Sequence, residues 1–441
     1  MTDGQEQQQA AELEVVRRAD SYEVLVGIIV TLSDEFPAFD FDDFAARVVE
    51  AVQQYTVFRL SIVERTVADE KGAPGHYWVR VPAAYWAQAR ANGFVAREPW
   101  HGDAEVDTNA DTDGLVALDG TPLARVRVST APDGARCRVR IVASHCIADG
   151  RTLASLFDVV RACVPGEPPC VLRDTPLGAY GQRANFSAAL PEAALHAVPH
   201  SWAHAVDIAV PARLSPEAAA AAAYVEHRWR SPTAPLRAYL AARRGRASLQ
   251  GVLMAVLTRA LRRCGGLAPA QPVTVWVPAD LRASPYASPA FRTRAFFSGN
   301  GGLFPLVRGQ DDIDADIAHC TAQVRAAFAG TDGPVHMCLN ALAREPADVA
   351  GDAPALFAQS PYLSLIASNI GVYANMRAPR VQVHAPVLPV YCTTLYAYRG
   401  ALGTDTEFMF FCPDVLDPRA LRAVKDELHT VLAHISAHPT A

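Results

Sequence analysis

The hydrophobic pattern changes period several times along the chain, and each change predicts an element. Val24 to Leu32 is a continuous apolar run rich in β-branched residues, which predicts a strand buried on both faces. After a break at Phe36-Pro37, residues Phe41, Phe44, Val48, Val49 and Val52 recur at helical spacing behind acidic positions, so an amphipathic helix follows. Residues 77–81 read as a strand, and a short helical segment surrounds Tyr85 to Arg90. Ala124 to Val128 and Arg136 to Ala143 read as two strands, joined by a Pro132-Asp133-Gly134 turn. In the second of these, Cys137, Val139 and Ile141 alternate with Arg138 and Arg140, so the odd positions face inward. Leu153, Leu156, Phe157 and Val160 then mark one face of a helix.

Four prolines between Val164 and Gly178 make the clearest linker. Beyond it, Ser215-Pro216-Glu217 before an alanine run is a helix opening, and Ser248 to Leu261 is apolar nearly all round, as a buried helix would be. Val273 to Val277 is strand-like and leads into a long Pro-, Ser- and Gly-rich loop ending near Pro305. Residues 362–371, 380–388 and 407–412 are further strands, and Asp417-Pro418 opens a final helix whose Leu421, Val424, Leu428, Val431 and Leu432 share a face. Strands and helices thus mix in both halves without the regular alternation of a doubly wound sheet. A chain of 441 residues fits two lobes better than one core. The expected division is a flexible tail over 1–17, a first lobe over 18–180 and a second over 181–441.

Composition narrows the classes. A formal net charge of −6, with Lys71 and Lys425 the only lysines, argues against nucleic-acid and membrane-surface partners, which call for a basic excess. Nine scattered cysteines with no CxxC pair read as reduced thiols, and the polar, acidic N-terminus and the absence of a spanning apolar run predict a cytoplasmic protein. No metal site is expected. The acidic loop with Asp107, Asn109, Asp111 and Asp113 lacks a glutamate at the twelfth position of a calcium loop, and Pro199 interrupts the His196, His200, His204 spacing.

The candidate chemistry lies where the strand ending near Ala143 meets the helix beginning near Gly150. His145, delivered by the strand, is a candidate general base, able when neutral to take a proton from a hydroxyl or amine that attacks a carbonyl. Asp149 and Gly150 shape the turn, and a buried Asp149 needs a cationic partner. Cys146 points to the opposite face of a continuing strand, against a Cys-His nucleophile.

This strand, HxxxDG turn and Leu-rich helix resemble the chloramphenicol acetyltransferase-like superfamily, which includes nonribosomal peptide condensation domains, BAHD acyltransferases and polyketide-associated acyltransferases. Val277-Pro278-Ala279-Asp280-Leu281-Arg282 with Phe297 to Leu306, and Ser368-Asn369-Ile370-Gly371, resemble two further segments of those enzymes. The resemblance spans residues 20 to 437. It implies two similar α/β lobes forming a pseudo-dimer around a central active-site tunnel, with His145 as base, Asp149 as bracing carboxylate and Arg282 as its salt-bridge partner. Gly150, Asn300, Ser368 and Asn369 become candidate substrate or oxyanion contacts. The implied reaction moves an acyl group from acyl-CoA or a phosphopantetheinyl acyl- or peptidyl-carrier thioester to a small-molecule hydroxyl or amine, in secondary metabolism. No bound cofactor is required.

Ser144 stands where condensation domains usually carry a second histidine, and the Ser-x-Ala-Gln and Asp-Phe-Gly-Trp-Gly motifs are missing. A non-catalytic binding protein that keeps the condensation-domain fold is the alternative. Nine arginines from Arg228 to Arg263 read either as a solvated helical surface or as a dock for a coenzyme A phosphate or an acidic carrier protein.

Overall fold

The computed structural model describes residues 14–18, 29–65, 75–101, 120–175, 177, 224–265, 268, 270–297, 300–303, 305–310, 312–329, 365–377, 379–384, 393–413 and 418–440. The first half contains β1 (Val15–Arg18), β2 (Ile29–Pro37), α1 (Phe41–Val52), β3 (Leu60–Arg65), β4 (Gly75–Arg80), α2 (Ala83–Ala87), β5 (Val95–Arg97), β6 (Ala124–Thr130), β7 (Arg136–Ser144) and α3 (Gly150–Arg161). The second contains β8 (Tyr224–Pro232), α4 (Thr233–Ala242), α5 (Leu249–Gly265), β9 (Val273–Thr274), β10 (Val277–Asp280), α6 (Pro289–Arg292), β11 (Asn300–Leu303), β12 (Leu306–Val307), α7 (Ile313–Ala329), β13 (Leu365–Tyr373), β14 (Arg380–His384), β15 (Thr393–Gly400), β16 (Asp405–Pro413) and α8 (Pro418–Ala437).

Two larger sheets carry the two lobes. One has the order β14-β2-β7-β6-β5, the other β13-β15-β16-β8. Helices α1 and α3 cover the first sheet, with Phe44, Val48, Leu153, Leu156 and Phe157 joining Val139 and Ile141 in one core. The α5, α7 and α8 helices pack together on the second sheet, where Val252 to Leu257, Val424 and Leu428 meet Leu395, Phe408 and Phe410. The halves are not independent in the chain. Strand β14, from the second half, pairs antiparallel with β2 and closes one edge of the first sheet.

Most of the expected elements are present, with shifted ends. Asp40 caps α1 by accepting from Asp43 N at 2.8 Å, and the turn at Gly134 adopts a φ of 67°, which glycine tolerates. The strand expected to stop before Phe36-Pro37 runs through it, because Phe36 and Pro37 pair with Cys137 and Arg136 at the end of β7. Strand β1 pairs with β4, so strand structure reaches into the last residues of the stretch expected as a tail. The 180/181 boundary, the acidic loop, the three-histidine segment, the Ser215 helix opening and Asp417 lie outside the described residues.

Candidate active site

Strand β7 is buried on both faces from Cys137 to Ser144. The odd positions enter the core as expected, but the arginines between them do not face solvent. Arg138 reaches Glu35 at 2.6 Å and Arg140 pairs with Glu98, so the far face is a buried charge layer where each guanidinium has a carboxylate. A strand enclosed this way has little freedom to slip. It delivers the next residue to a fixed place.

That residue is His145. Ser144 is held on both sides, paired with Ile29 of β2 and donating from its N to Leu123 O at 2.8 Å. The chain turns directly after it, so His145 begins a turn instead of continuing the strand. Ile147 N donates to Ser144 O at 3.1 Å and Ala148 N to His145 O at 3.3 Å. His145 and Cys146 are half-buried within this otherwise buried turn, and the Cys146 sulfur lies 3.0 Å from Ser144 Oγ.

Asp149 ends the turn and starts the helix. In extended conformation (φ −82°, ψ 179°), it is the N-cap of α3 and accepts from Thr152 N at 2.7 Å through Oδ1. Its Oδ2 accepts from Arg282 Nη2 at 2.6 Å, across 133 residues of sequence, and neither side chain has exposed surface. Arg282 follows β10 in a single 3-10 turn (Leu281–Ala283) and also donates from Nε to Asp280 Oδ1 at 2.6 Å. Asp280 Oδ2 in turn accepts from Arg151 Nη1 at 3.1 Å. The sequence-predicted partnership of Asp149 and Arg282 is thus present as a direct ion pair inside a larger network.

Besides Arg151, three members of that network were not expected. Thr152 Oγ1 accepts from Arg282 Nη1 at 3.3 Å and donates to Phe297 O at 3.1 Å. Phe297 holds a φ of 63°, a costly conformation for a bulky residue, and its ring meets Trp78 edge-on at 6.2 Å. Asp280 and Phe297 lie within the two stretches that carried the resemblance, two residues before Arg282 and three before Asn300. Thr152 had only its place in the first turn of the helix to mark it.

Ser368, Asn369 and Gly371 lie on β13, which approaches the same turn from the second half. Its parallel register with β15 shifts between Asn369 and Gly371, so Ile370 is an inserted residue, and Gly371 takes a φ of 99° that glycine tolerates. The bulge sends Ile370 toward α3, where a Cβ added to Gly150 would lie 2.9 Å from Ile370 Cγ2. A side chain at position 150 would therefore have to displace Ile370. Gln250 on α5 substitutes for a neighbouring strand at this edge, donating to Ala367 O at 2.9 Å and accepting from Asn369 N at 3.2 Å. Ser368 is buried and the Asn369 side chain exposed. Asn300 pairs through its backbone with Asp280, on the ion-pair side of the turn.

Electrostatics follow from this burial. Burial lowers the His145 pKa below its ordinary value, while Asp149 and a backbone hydrogen bond partly oppose the shift. Burial also works against the Arg282 charge, but Asp149 and Asp280 outweigh it and the pKa is raised. The turn thus combines a histidine whose charged form burial disfavours with a neighbouring guanidinium whose charged form two carboxylates favour.

The arginine run divides by environment. Arg228 and Arg230 lie on strand β8, not on a helix, and pair with Glu226 and Glu407. Arg243 is buried over the Tyr239 ring and bonds Asp314 at 3.1 Å, and Arg259 bonds Asp316 and Glu427. Arg237, Arg244 and Arg246 are exposed. Among the described residues no cluster of His, Cys, Asp and Glu has the makings of a metal site, and no helix is long and apolar enough to cross a membrane.

No protein-family model and no curated protein sequence matches the chain. Solved structures do. A trichothecene 15-O-acetyltransferase from Fusarium sporotrichioides superposes with a TM-score of 0.66 at 9% identity, covering 95% of this chain and 94% of that one. The starter condensation domain of rhizomide synthetase, in complex with C8-CoA and Leu-SNAC, gives 0.61 at 10% identity over 100% and 97%. Polyketide synthase associated protein 5 from Mycobacterium tuberculosis gives 0.59 at 16% identity over 96% and 99%. Identities this low carry the fold alone, and they carry it end to end: the chain has the two-lobed, chloramphenicol acetyltransferase-like fold of condensation domains.

Proposed function

We propose that this protein is an acyltransferase that moves an acyl group from a thioester to a hydroxyl or amine of a small-molecule acceptor, with His145 as general base. The observation that carries the reading is the Asp149–Arg282 pair, buried, joining the two halves, and set at the end of the turn that holds His145. Both Asp149 oxygens are engaged, one by the helix and one by Arg282, so Asp149 positions the turn and does not act as a second base.

His145, neutral at neutral pH because burial disfavours its charged form, accepts the proton of the acceptor as that nucleophile adds to the thioester carbonyl. The tetrahedral intermediate then expels the thiolate, which recovers the proton from His145. We assign the oxyanion to the junction of α3 and β13, with Gly150 N–H and Asn369 as first candidates and Ser368 and Asn300 as the others to test. The complex of the starter condensation domain with C8-CoA supports an acyl-CoA donor, and a carrier-bound thioester offers the same reacting group. The likeness to a polyketide synthase associated protein and a trichothecene acetyltransferase supports a place in secondary metabolism.

The test is transfer from a panel of acyl-CoAs into a cell extract, read by intact mass of the products, for wild type and His145→Ala. The variant should lose about 10²- to 10⁴-fold in turnover at unchanged thermal midpoint. Equal turnover in the two proteins overturns the assignment of His145. Thioester binding without any transfer by wild type would instead identify a binding protein that has kept the fold.

A further inference from the structure

Strand β13 lies at one edge of its sheet, and its outer side passes from one partner to the next. Trp276 comes first, its N donating to Leu365 O at 2.8 Å and its carbonyl accepting from Ala367 N at 3.0 Å. Gln250 then takes over, donating from Nε2 to Ala367 O at 2.9 Å and accepting at Oε1 from Asn369 N at 3.2 Å. The next residue is Ile370, where the register with β15 shifts and the side chain comes against Gly150.

The two bonds of Gln250 are those that a peptide group of an adjoining strand would make. Ala367 O can only accept and Asn369 N can only donate, so together they demand one donor and one acceptor side by side, which a primary amide supplies. The backbone that carries this amide is itself held. Ser248 Oγ caps α5 by accepting from Gly251 N at 3.0 Å, and it lies 3.1 Å from Thr321 Oγ1 on α7. Gly251 packs so closely on α7 that a Cβ there would lie 2.9 Å from Ile317 O. Half-buried on a locked helix turn, Gln250 meets β13 from a fixed position.

That position decides where the ladder stops. The amide reaches from Ala367 to Asn369 and no further, so regular bonding on the outer side ends one residue before the bulge. Gln250 thereby fixes the place of the bulge, and with it the pressure of Ile370 on the first turn of α3.

We propose that Gln250 is a positioning residue of the site assigned above, holding Asn369 and the Ile370 bulge against the turn that follows His145. This rests on the acyl-transfer reading and extends it. Gln250 acts through Asn369 and Ile370, so its loss should slow the chemical step more than it weakens substrate binding.

The experiment compares wild type, Gln250→Met, Gln250→Glu, Gly150→Ala and the double variant Gln250→Met/Gly150→Ala as full chains, with acyl-CoA donors. Methionine fills similar space without either bond; it should lower kcat about tenfold and leave KM within about twofold, a split that a merely structural residue would not produce. Exchange of the Asn369 amide with deuterium should quicken in the same variant. Glutamate keeps the shape but has no donor when ionised, so its carboxyl is pushed up by the facing Ala367 carbonyl. Gln250→Glu should therefore gain stability in urea as pH falls and the protonated acid regains a donor. The double variant decides between roles. Gly150→Ala presses a methyl onto Ile370, and a bulge released from Gln250 can yield, so the double variant should turn over faster than Gly150→Ala alone; independent structural losses would multiply instead. An unchanged kcat in Gln250→Met, or a double variant no faster than Gly150→Ala, overturns the role of Gln250 and leaves the acyl-transfer reading intact. If wild type transfers from no acyl-CoA, that reading fails and the positioning role fails with it.

Discussion

Arg282→Met tests how the two halves fix the candidate base. The guanidinium touches Asp149 at 2.6 Å, Asp280 at 2.6 Å and Thr152 Oγ1 at 3.3 Å, and its side chain has no exposed surface. Methionine fills much of the same space and removes all three bonds. Asp149 keeps the Thr152 N–H but loses its guanidinium, and removing one member of a buried ion pair costs about 3–5 kcal/mol. Asp149→Asn should be milder, about 2 kcal/mol, because an asparagine still caps α3 and Arg282 retains Asp280. The double variant leaves neither charge stranded, so its cost should fall short of the sum of the single costs by at least about 2 kcal/mol. Urea unfolding followed by circular dichroism measures all three. The pH dependence adds a second check: without Arg282 the buried Asp149 carboxyl is pushed up, so Arg282→Met should recover stability as pH falls and Asp149 takes a proton. A cost for Arg282→Met below about 1 kcal/mol, or strictly additive single costs, would refute the coupling.

Other outcomes follow from the same geometry. Because burial lowers the His145 pKa and a base works only when neutral, the acid limb of kcat/KM should inflect below 6.5, and Asp149→Asn, which removes a charge supporting the imidazolium, should move it lower still; movement upward contradicts the assignment. Gly150→Ala places a methyl 2.9 Å from Ile370 Cγ2, so it should cost about 1–3 kcal/mol and depress turnover, with Ile370→Ala restoring both; a neutral Gly150→Ala would show that the lobes do not meet there. Asp314 holds Tyr239, His434 and Arg243, and these bonds, against an opposing burial effect, bring its pKa down to about 2. Its contribution to stability is present above the ordinary carboxylate range and lost as pH falls through about 2, so Asp314→Asn should flatten the dependence of the urea midpoint on pH in that interval. An unchanged slope would remove Asp314 from the acid response.

How far the sequence revealed the fold depended on the kind of pattern each element carries. Helices α1 and α3 were legible because their apolar faces repeat at helical spacing and an aspartate caps each. Strand β8 was not, since Tyr224 to Pro232 alternates polar and aromatic residues just after an alanine run, and its arginines read as helical surface. The charges on β7 misled for a related reason. Alternation predicts a solvated face, but Arg138 and Arg140 are covered because Glu35 and Glu98 accompany them, and nothing local to residues 136–144 announces partners that lie elsewhere in the chain. Arg243 shows the same gap: it reads as solvated surface or a docking charge but sits buried against Tyr239 and Asp314, while its neighbours Arg244 and Arg246 are exposed.

At the site, the local half was legible and the long-range half only through the resemblance. His145, Asp149 and Gly150 sit together in one turn, and cap preference alone gives Asp149 a structural role. What spacing cannot give is the convergence on that turn of three contacts from the second half: Arg282 on Asp149, Phe297 O on Thr152, and Ile370 on Gly150. All three land on four consecutive residues, 149 to 152, with Arg151 adding a fourth tie to Asp280. The first turn of α3 is therefore where the lobes grip each other, and His145 stands four residues before it on a strand end that is paired on both sides. A candidate base placed by an isolated turn would shift with every local fluctuation. The turn that holds His145 is tied to the interface between the lobes, so if His145 is the base as proposed, substitutions at Arg282 or Ile370, far from it in sequence, should alter turnover as directly as changes beside it.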